Sequence, residues 1–198
     1  MGKYNMATTN FSYPTVISPV QSFNHVLNIT SIPWKNLEFL RGESNYATSV
    51  KPIYTISGFW QEKFYTETDQ LVTTGYGFSD TGTQVVGIEA LVSLRRSSRV
   101  QDLVIQLTFK GNLVGDNLAS AINPVQSNMY TGELDIPPTP VGDINIYGGP
   151  SELWGREWTS AEIADPSFGI AVSFKSNQIV PHRDLVYFDQ LALRITYA

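Results

Sequence analysis

Two histidines, His25 and His182, are the chain's whole stock of imidazole. Neither has, at a useful spacing, the further ligands of the three or four that a zinc site needs. No cysteine is present, which removes thiolate nucleophiles, thiolate metal sites and disulfides together. The chain has no Gly-x-Ser-x-Gly elbow, Walker loop or dinucleotide fingerprint. Gly75-Tyr76-Gly77 opens like a Gly-x-Gly pattern, but no helical pattern follows it. Carboxylates are more plentiful: Glu62, Glu67, Asp69, Asp135, Glu152, Glu157 and Asp189 could supply the pair that a glycosidase uses. That chemistry requires two of them about 5–9 Å apart across a cleft, whereas acidic side chains are ordinarily solvated. Asp80 and Asp116-Asn117 are oxygen donors suited to calcium, without the spacing of a dedicated loop. The residues therefore point to a protein that is not an enzyme and uses no cofactor.

A different chemistry is open to the aromatics. Tyr147-Gly148-Gly149-Pro150-Ser151-Glu152-Leu153-Trp154-Gly155 concentrates three further glycines beside a proline, a tyrosine and a tryptophan, just before Arg156-Glu157-Trp158. Glycine and proline break regular structure, and a tryptophan there either plugs a core or offers a flat face to a sugar. Burial at one end of a β-sandwich is the expected role. A platform of Tyr147, Trp154 and Trp60 that recognises a host surface glycan is the alternative.

This loop, with Trp158-Thr159, Ile163, Phe168-Gly169 and a last strand ending in Tyr197, resembles a module of tailed-bacteriophage structural proteins. Weaker likeness extends to Gly75-Tyr76-Gly77-Phe78, Gly87-Ile88-Glu89 and Trp34-x-Asn36-Leu37, so it covers about residues 34–198. The resemblance implies a virion part, in the tail, neck, baseplate or fibre region, assembled in the host cytoplasm. It transfers no catalytic residues.

Composition limits the partners. Thirteen basic against eighteen acidic side chains leave a net charge of −5, opposite to that of a typical nucleic-acid or anionic-membrane binder. No run approaches the roughly 18 apolar residues of a membrane-spanning helix, and the amino terminus lacks the apolar stretch of a signal peptide. Met6 spoils the myristoylation pattern begun by Gly2, and Asn10-Phe11-Ser12 and Asn28-Ile29-Thr30 read as chance acceptor sequences. Arg95-Arg96-Ser97-Ser98-Arg99, the one basic cluster, suits a solvated sheet edge or a contact with an acidic partner.

The elements that would position these residues are strands. Ile88 to Arg95, Leu103 to Phe109, Phe168 to Lys175 and Gln190 to Tyr197 alternate apolar with mostly polar or small residues, the period of a half-buried strand. Ile53 to Ser57 and Leu71 to Phe78 are β-rich as well, with Gly75 and Gly77 marking a bulge or a close backbone approach. Ser79-Asp80-Thr81-Gly82 and Lys110-Gly111-Asn112 supply turns, Pro137-Pro138-Thr139-Pro140 a stiff connector. Thr159 or Ser160 can cap a helical turn closed by Asp165-Pro166. These signals predict a single antiparallel β-sandwich of jelly-roll type over residues 34–198.

Residues 1–33 stand apart, with Lys3 their only Lys, Arg, Asp or Glu and with prolines at 14, 19 and 33. They predict an extended arm whose apolar groups, Phe11, Tyr13, Val16, Ile17 and Phe23 among them, dock on another virion protein or another copy of the chain. An edge strand added to its own domain is the alternative. Together these features lead us to expect a homo-oligomeric structural protein.

Overall fold

The computed structural model describes residues 6–20, 23–24, 29–30, 47–50, 67–96, 100–120, 143–176 and 185–198. Apart from one separate two-stranded pair, their strands form two antiparallel sheets packed face to face, with one short α-helix and one 3-10 turn. In chain order they are β1 (Ala7–Thr8), β2 (Val16–Val20), β3 (Phe23–Asn24), β4 (Ile29–Thr30), β5 (Ala47–Val50) and β6 (Gln70–Thr74). β7 (Val85–Arg96), β8 (Val100–Phe109), β9 (Asn112–Val114), β10 (Asp143–Gly149), β11 (Gly169–Ser176) and β12 (Leu185–Tyr197) complete the set.

From β5 onward the strands divide four to a sheet, in the orders β5-β12-β7-β10 and β6-β11-β8-β9. Each successive strand changes sheet, except where the two-residue turn Lys110-Gly111 folds β9 back on β8. This is jelly-roll connectivity. Both turn residues have positive φ, as a twist-matched hairpin demands.

The alternating segments take the faces their patterns predict. Ile88, Ala90, Val92 and Leu94 of β7 face Ile105 and Leu107 of β8 across the core, joined by Leu191, Leu193 and Ile195 of β12 and Ile170, Val172 and Phe174 of β11. All are buried, and each of those larger than Ala90 contributes about 1.5–3 kcal/mol. β11 is central in its sheet, and Ala171 and Ser173 on its second face are buried too.

Two expectations are corrected. The run from Leu71 to Phe78 is a strand only to Thr74, because Gly75 and Gly77 then take positive φ and turn the chain away. At Gly75 the close approach anticipated from sequence is to the arm, since a Cβ there would sit 2.2 Å from Thr15 Oγ1.

The second correction concerns the arm. Residues 6–20 lie along their own sandwich, so sheet structure begins well before residue 34. β1 pairs with the end of β12, Ser12 bridges Leu193, and β2 then pairs along the whole of β6. The segment passes from one sheet edge to the other on the same side of the molecule. β3 and β4 pair with each other. The expected strand 53–57 lies outside the described residues.

Candidate functional site

The β10–β11 connection begins where β10 runs out at Gly149. Trp154 turns inward from it in a left-handed conformation unusual for a bulky residue, φ 58°. Three contacts fix it there. Its N–H donates to Glu152 Oε1 at 2.8 Å, its carbonyl accepts from the Asp116 N–H at 2.7 Å, and its indole Nε1 donates to the Ile88 carbonyl at 2.9 Å. The side chain is fully buried. Tyr147 is buried as well, its hydroxyl donating to Asp102 Oδ2 on the facing sheet at 2.5 Å. The ring faces that a sugar platform would need are therefore inside the core, and Tyr147 and Trp154 act as plugs. Trp60, their proposed partner, lies outside the described residues.

Trp158 extends the plug. Its Nε1 donates to the Leu153 carbonyl at 3.0 Å, and its ring meets Phe168 edge-on with centroids 5.2 Å apart. Over the indole sits the Arg156 guanidinium, 4.0 Å from the ring centroid and 2.5 Å from Glu162 Oε1. Glu162 belongs to the helix α1 (Ser160–Ala164), which Thr159 caps with a reciprocal capping box. Burial acts to raise the Glu162 carboxyl pKa, but the Thr159 N–H and the Arg156 cation outweigh it and hold the group below its ordinary value.

Of the remaining polar candidates, Glu157 and Asp116 are exposed and the others have places within the fold. Asp80 accepts from Ser160 Oγ and the Gly82 N–H, which lower its pKa. The Asn117 carboxamide accepts from the Ile105 and Ala119 N–H groups and donates to the Leu103 carbonyl. Glu152 serves Trp154, Glu67 bridges Lys175 through its backbone, and Asp69 is buried. Among the described residues no three His, Asp or Glu side chains lie close enough to share a metal ion. His25, His182, Glu62, Asp135, Arg99 and the Asp189 side chain lie outside them, as do the side chains of Arg95 and Arg96.

What stays available is apolar and sits on the sheet edges. β10 is the last strand of its sheet, and its outward Ile144 and Ile146 are 60% and 38% exposed. β9 ends the other sheet on the same side, with Leu113 45% exposed. Along the opposite side Met6, Tyr13, Val16 and Val20 of the arm are exposed, whereas Ile17 packs on the core and Pro14 is buried at the crossing. Phe11 is half-buried beneath the Arg194 guanidinium, 4.4 Å from its ring centroid. Phe23 is placed only through its backbone in β3.

Ile144 and Ile146 were legible as an alternating pair in Asp143-Ile-Asn-Ile-Tyr147, but the inward residue is the tyrosine and the isoleucines face out. In comparisons with protein families, curated proteins and solved structures, no family model, protein or structure matches the chain.

Proposed function

We propose that the chain is a non-enzymatic structural component of a tailed-bacteriophage particle, joined to its neighbours through the edges of its sandwich. The observation that carries this is the outward-facing Ile144, Ile146 and Leu113 on two adjacent edge strands, β10 and β9. An edge strand normally carries charge or proline that deters pairing. Here the described edge carries large aliphatic groups instead, which favours association. The jelly roll is a fold used by viral capsid domains, although a fold alone assigns no function. A tailed-phage particle is supported by the resemblance carried by the loop from Tyr147 to Gly155 and the residues that follow it.

With a second apolar edge formed by Met6, Val16 and Val20 of the arm, two unlike edges of one molecule can meet in a heterologous contact. Repeated around an axis, such a contact closes a ring. Light scattering on the purified chain, alone and with the other structural proteins of its particle, tests the proposal. A defined oligomer, or entry into a larger assembly, that Ile144→Lys with Ile146→Lys abolishes while the fold persists is the expected result. A strict monomer that joins no particle protein overturns it.

A further inference from the structure

A cleft of about 350 Å3 opens where the arm passes the loop after β6. Asn10, Phe11 and Ser12 of the arm line it together with Phe78 and Ser79 of that loop and Tyr197 at the end of β12. Among the described residues that line it three are aromatic, and none is a lysine, arginine, aspartate or glutamate. Burial, and then the nearby Asp80 carboxylate, raise the Tyr197 pKa, so an anionic ligand would meet a like charge beside the cleft.

Both phenylalanines are backed by protein. The Arg194 guanidinium lies over Phe11 and is itself held by a two-point contact with Glu89, each bond 2.8 Å. Phe78 stacks on Tyr76 at 6.1 Å and meets Phe168 edge-on at 6.3 Å. Rings fixed before binding lose little freedom on meeting a ligand. Their negative faces suit the slightly positive C–H faces of a pyranose.

Polar groups of the right kind complete the cleft. Thr9 and Ser12 spend their hydroxyls on the Ile195 N–H and the Tyr76 carbonyl. The Asn10 and Ser79 side chains are exposed. Tyr197 is 6% exposed, and its buried hydroxyl finds no hydrogen-bond partner among the described residues. That hydroxyl lies beneath the cleft's surface, out of a ligand's reach, so the ring edge of Tyr197 forms part of the floor while Asn10 and Ser79 supply the accessible polar groups. A small, largely apolar concavity with a few hydroxyl and amide groups is the general form of a small-ligand site.

We propose that this cleft binds a neutral sugar, with Phe11 and Phe78 packing against the pyranose and Asn10 and Ser79 meeting its hydroxyls. The inference stands apart from the assembly reading: it needs neither an oligomer nor a virion. It also places glycan contact at aromatics other than Tyr147 and Trp154.

The test is a titration of the isotope-labelled full chain with lactose, maltotriose, cellotriose and the trimer of N-acetylglucosamine, followed by amide shifts. At least one should move the Asn10, Phe11, Gly77 and Ser79 amides saturably, with a Kd of about 1 mM or tighter. Sialyllactose should bind no better than lactose. Phe78→Ala should weaken binding about tenfold. Because Phe78 also packs on Phe168, two further variants separate binding from folding. Asn10→Ala, at an exposed position, should weaken binding with the melting temperature unchanged. Ser79→Ala, also at an exposed position, should weaken binding with the melting temperature unchanged. Failure of all four neutral sugars to shift the cleft amides, or parental affinity in both of these variants, overturns the proposal.

Discussion

The indole nitrogen of Trp154 donates to the main-chain carbonyl of Ile88 at 2.9 Å, tying the β10–β11 loop to the central strand β7. The tie is reciprocal, because the Ile88 N–H donates to the Glu152 carbonyl at 2.9 Å. Ile88 sits near the start of β7, where β10 ends opposite it at Gly149. The loop thus supplies partners to a buried strand residue and fills the space beneath it with one large ring.

Replacing Trp154 by Ala should therefore cost about 3–5 kcal/mol in chemical denaturation, as for other large buried aromatics. Trp154→Phe keeps much of the volume but strands the Ile88 carbonyl, and should still cost about 1–3 kcal/mol. A Phe variant as stable as the parent would show that the hydrogen bond contributes nothing.

Gly148 faces the same ring. A Cβ there would lie 2.3 Å from the Ile88 carbonyl oxygen and 2.7 Å from Trp154 Nε1, and the residue has φ 76°. Neither neighbour can yield, since each is hydrogen-bonded to the other. Gly148→Ala should destabilise the fold by more than the roughly 1 kcal/mol expected from the positive φ alone. The check is a denaturation midpoint set beside that of Gly77→Ala, whose Cβ would meet nothing within 4 Å. Equal losses would mean that the crowding is harmless.

These contacts show how far the sequence could be read. Strict alternation in Leu103 to Phe109, Phe168 to Phe174 and Leu191 to Tyr197 specified strands and their buried faces, because the side-chain period of a strand is local information. The capping box at Thr159 and Glu162 was equally local, as was the Lys110-Gly111 turn. Pairing was not. Ser12 meets Leu193 and Glu89 meets Arg194 across most of the chain, and no spacing rule joins partners so distant. The aromatics at Tyr147 and Trp154 were visible as a cluster. Which way they faced depended on Gly148 and Ile88 together, and so on tertiary packing. Nothing local joins Phe11 to Phe78, because their cleft exists only once the arm has crossed the sheet edge.

Acid should weaken the loop before the sheets. Glu162, Asp165 and Asp80 all have depressed pKa values in the folded chain. For Asp165 the cause is the Ser167 hydroxyl followed by the Ser167 N–H; for Asp80 it is Ser160 followed by Gly82. A carboxyl whose folded pKa is depressed stabilises the fold above its unfolded pKa, near 4. That contribution is lost as pH falls through the folded value. The denaturation midpoint should hold from neutrality to about pH 5 and then decline. Glu162→Gln should lower the midpoint at neutral pH and flatten the decline. An unchanged acid slope in that variant would remove Glu162 from the account.

The arm gives the sharpest contrast between what could be expected and what is observed. An arm that serves only to reach a neighbour would leave its own sandwich intact when removed. Instead the Thr9 N–H donates to the Ile195 carbonyl, Ser12 and Leu193 exchange two bonds, and Thr15 donates to the Thr74 carbonyl. β2 adds its ladder to β6, and Ile17 packs against the core. At about 1 kcal/mol net per hydrogen bond, deleting residues 1–20 should cost several kcal/mol. It should also leave two bare strand edges prone to pairing with other chains. The truncated protein is expected to melt at a lower temperature and to aggregate on concentration; an unchanged melting temperature would mean that the arm is no part of the fold. A peptide of residues 6–20 added in trans should restore part of the lost stability by pairing with the vacated β12 and β6 edges. If the peptide restores it, the same edges can accept the arm of another copy, and the strand exchange that links subunits becomes a property of this segment. If the peptide does not bind, the edges accept the arm only within one chain, and assembly must rest on Ile144, Ile146 and Leu113.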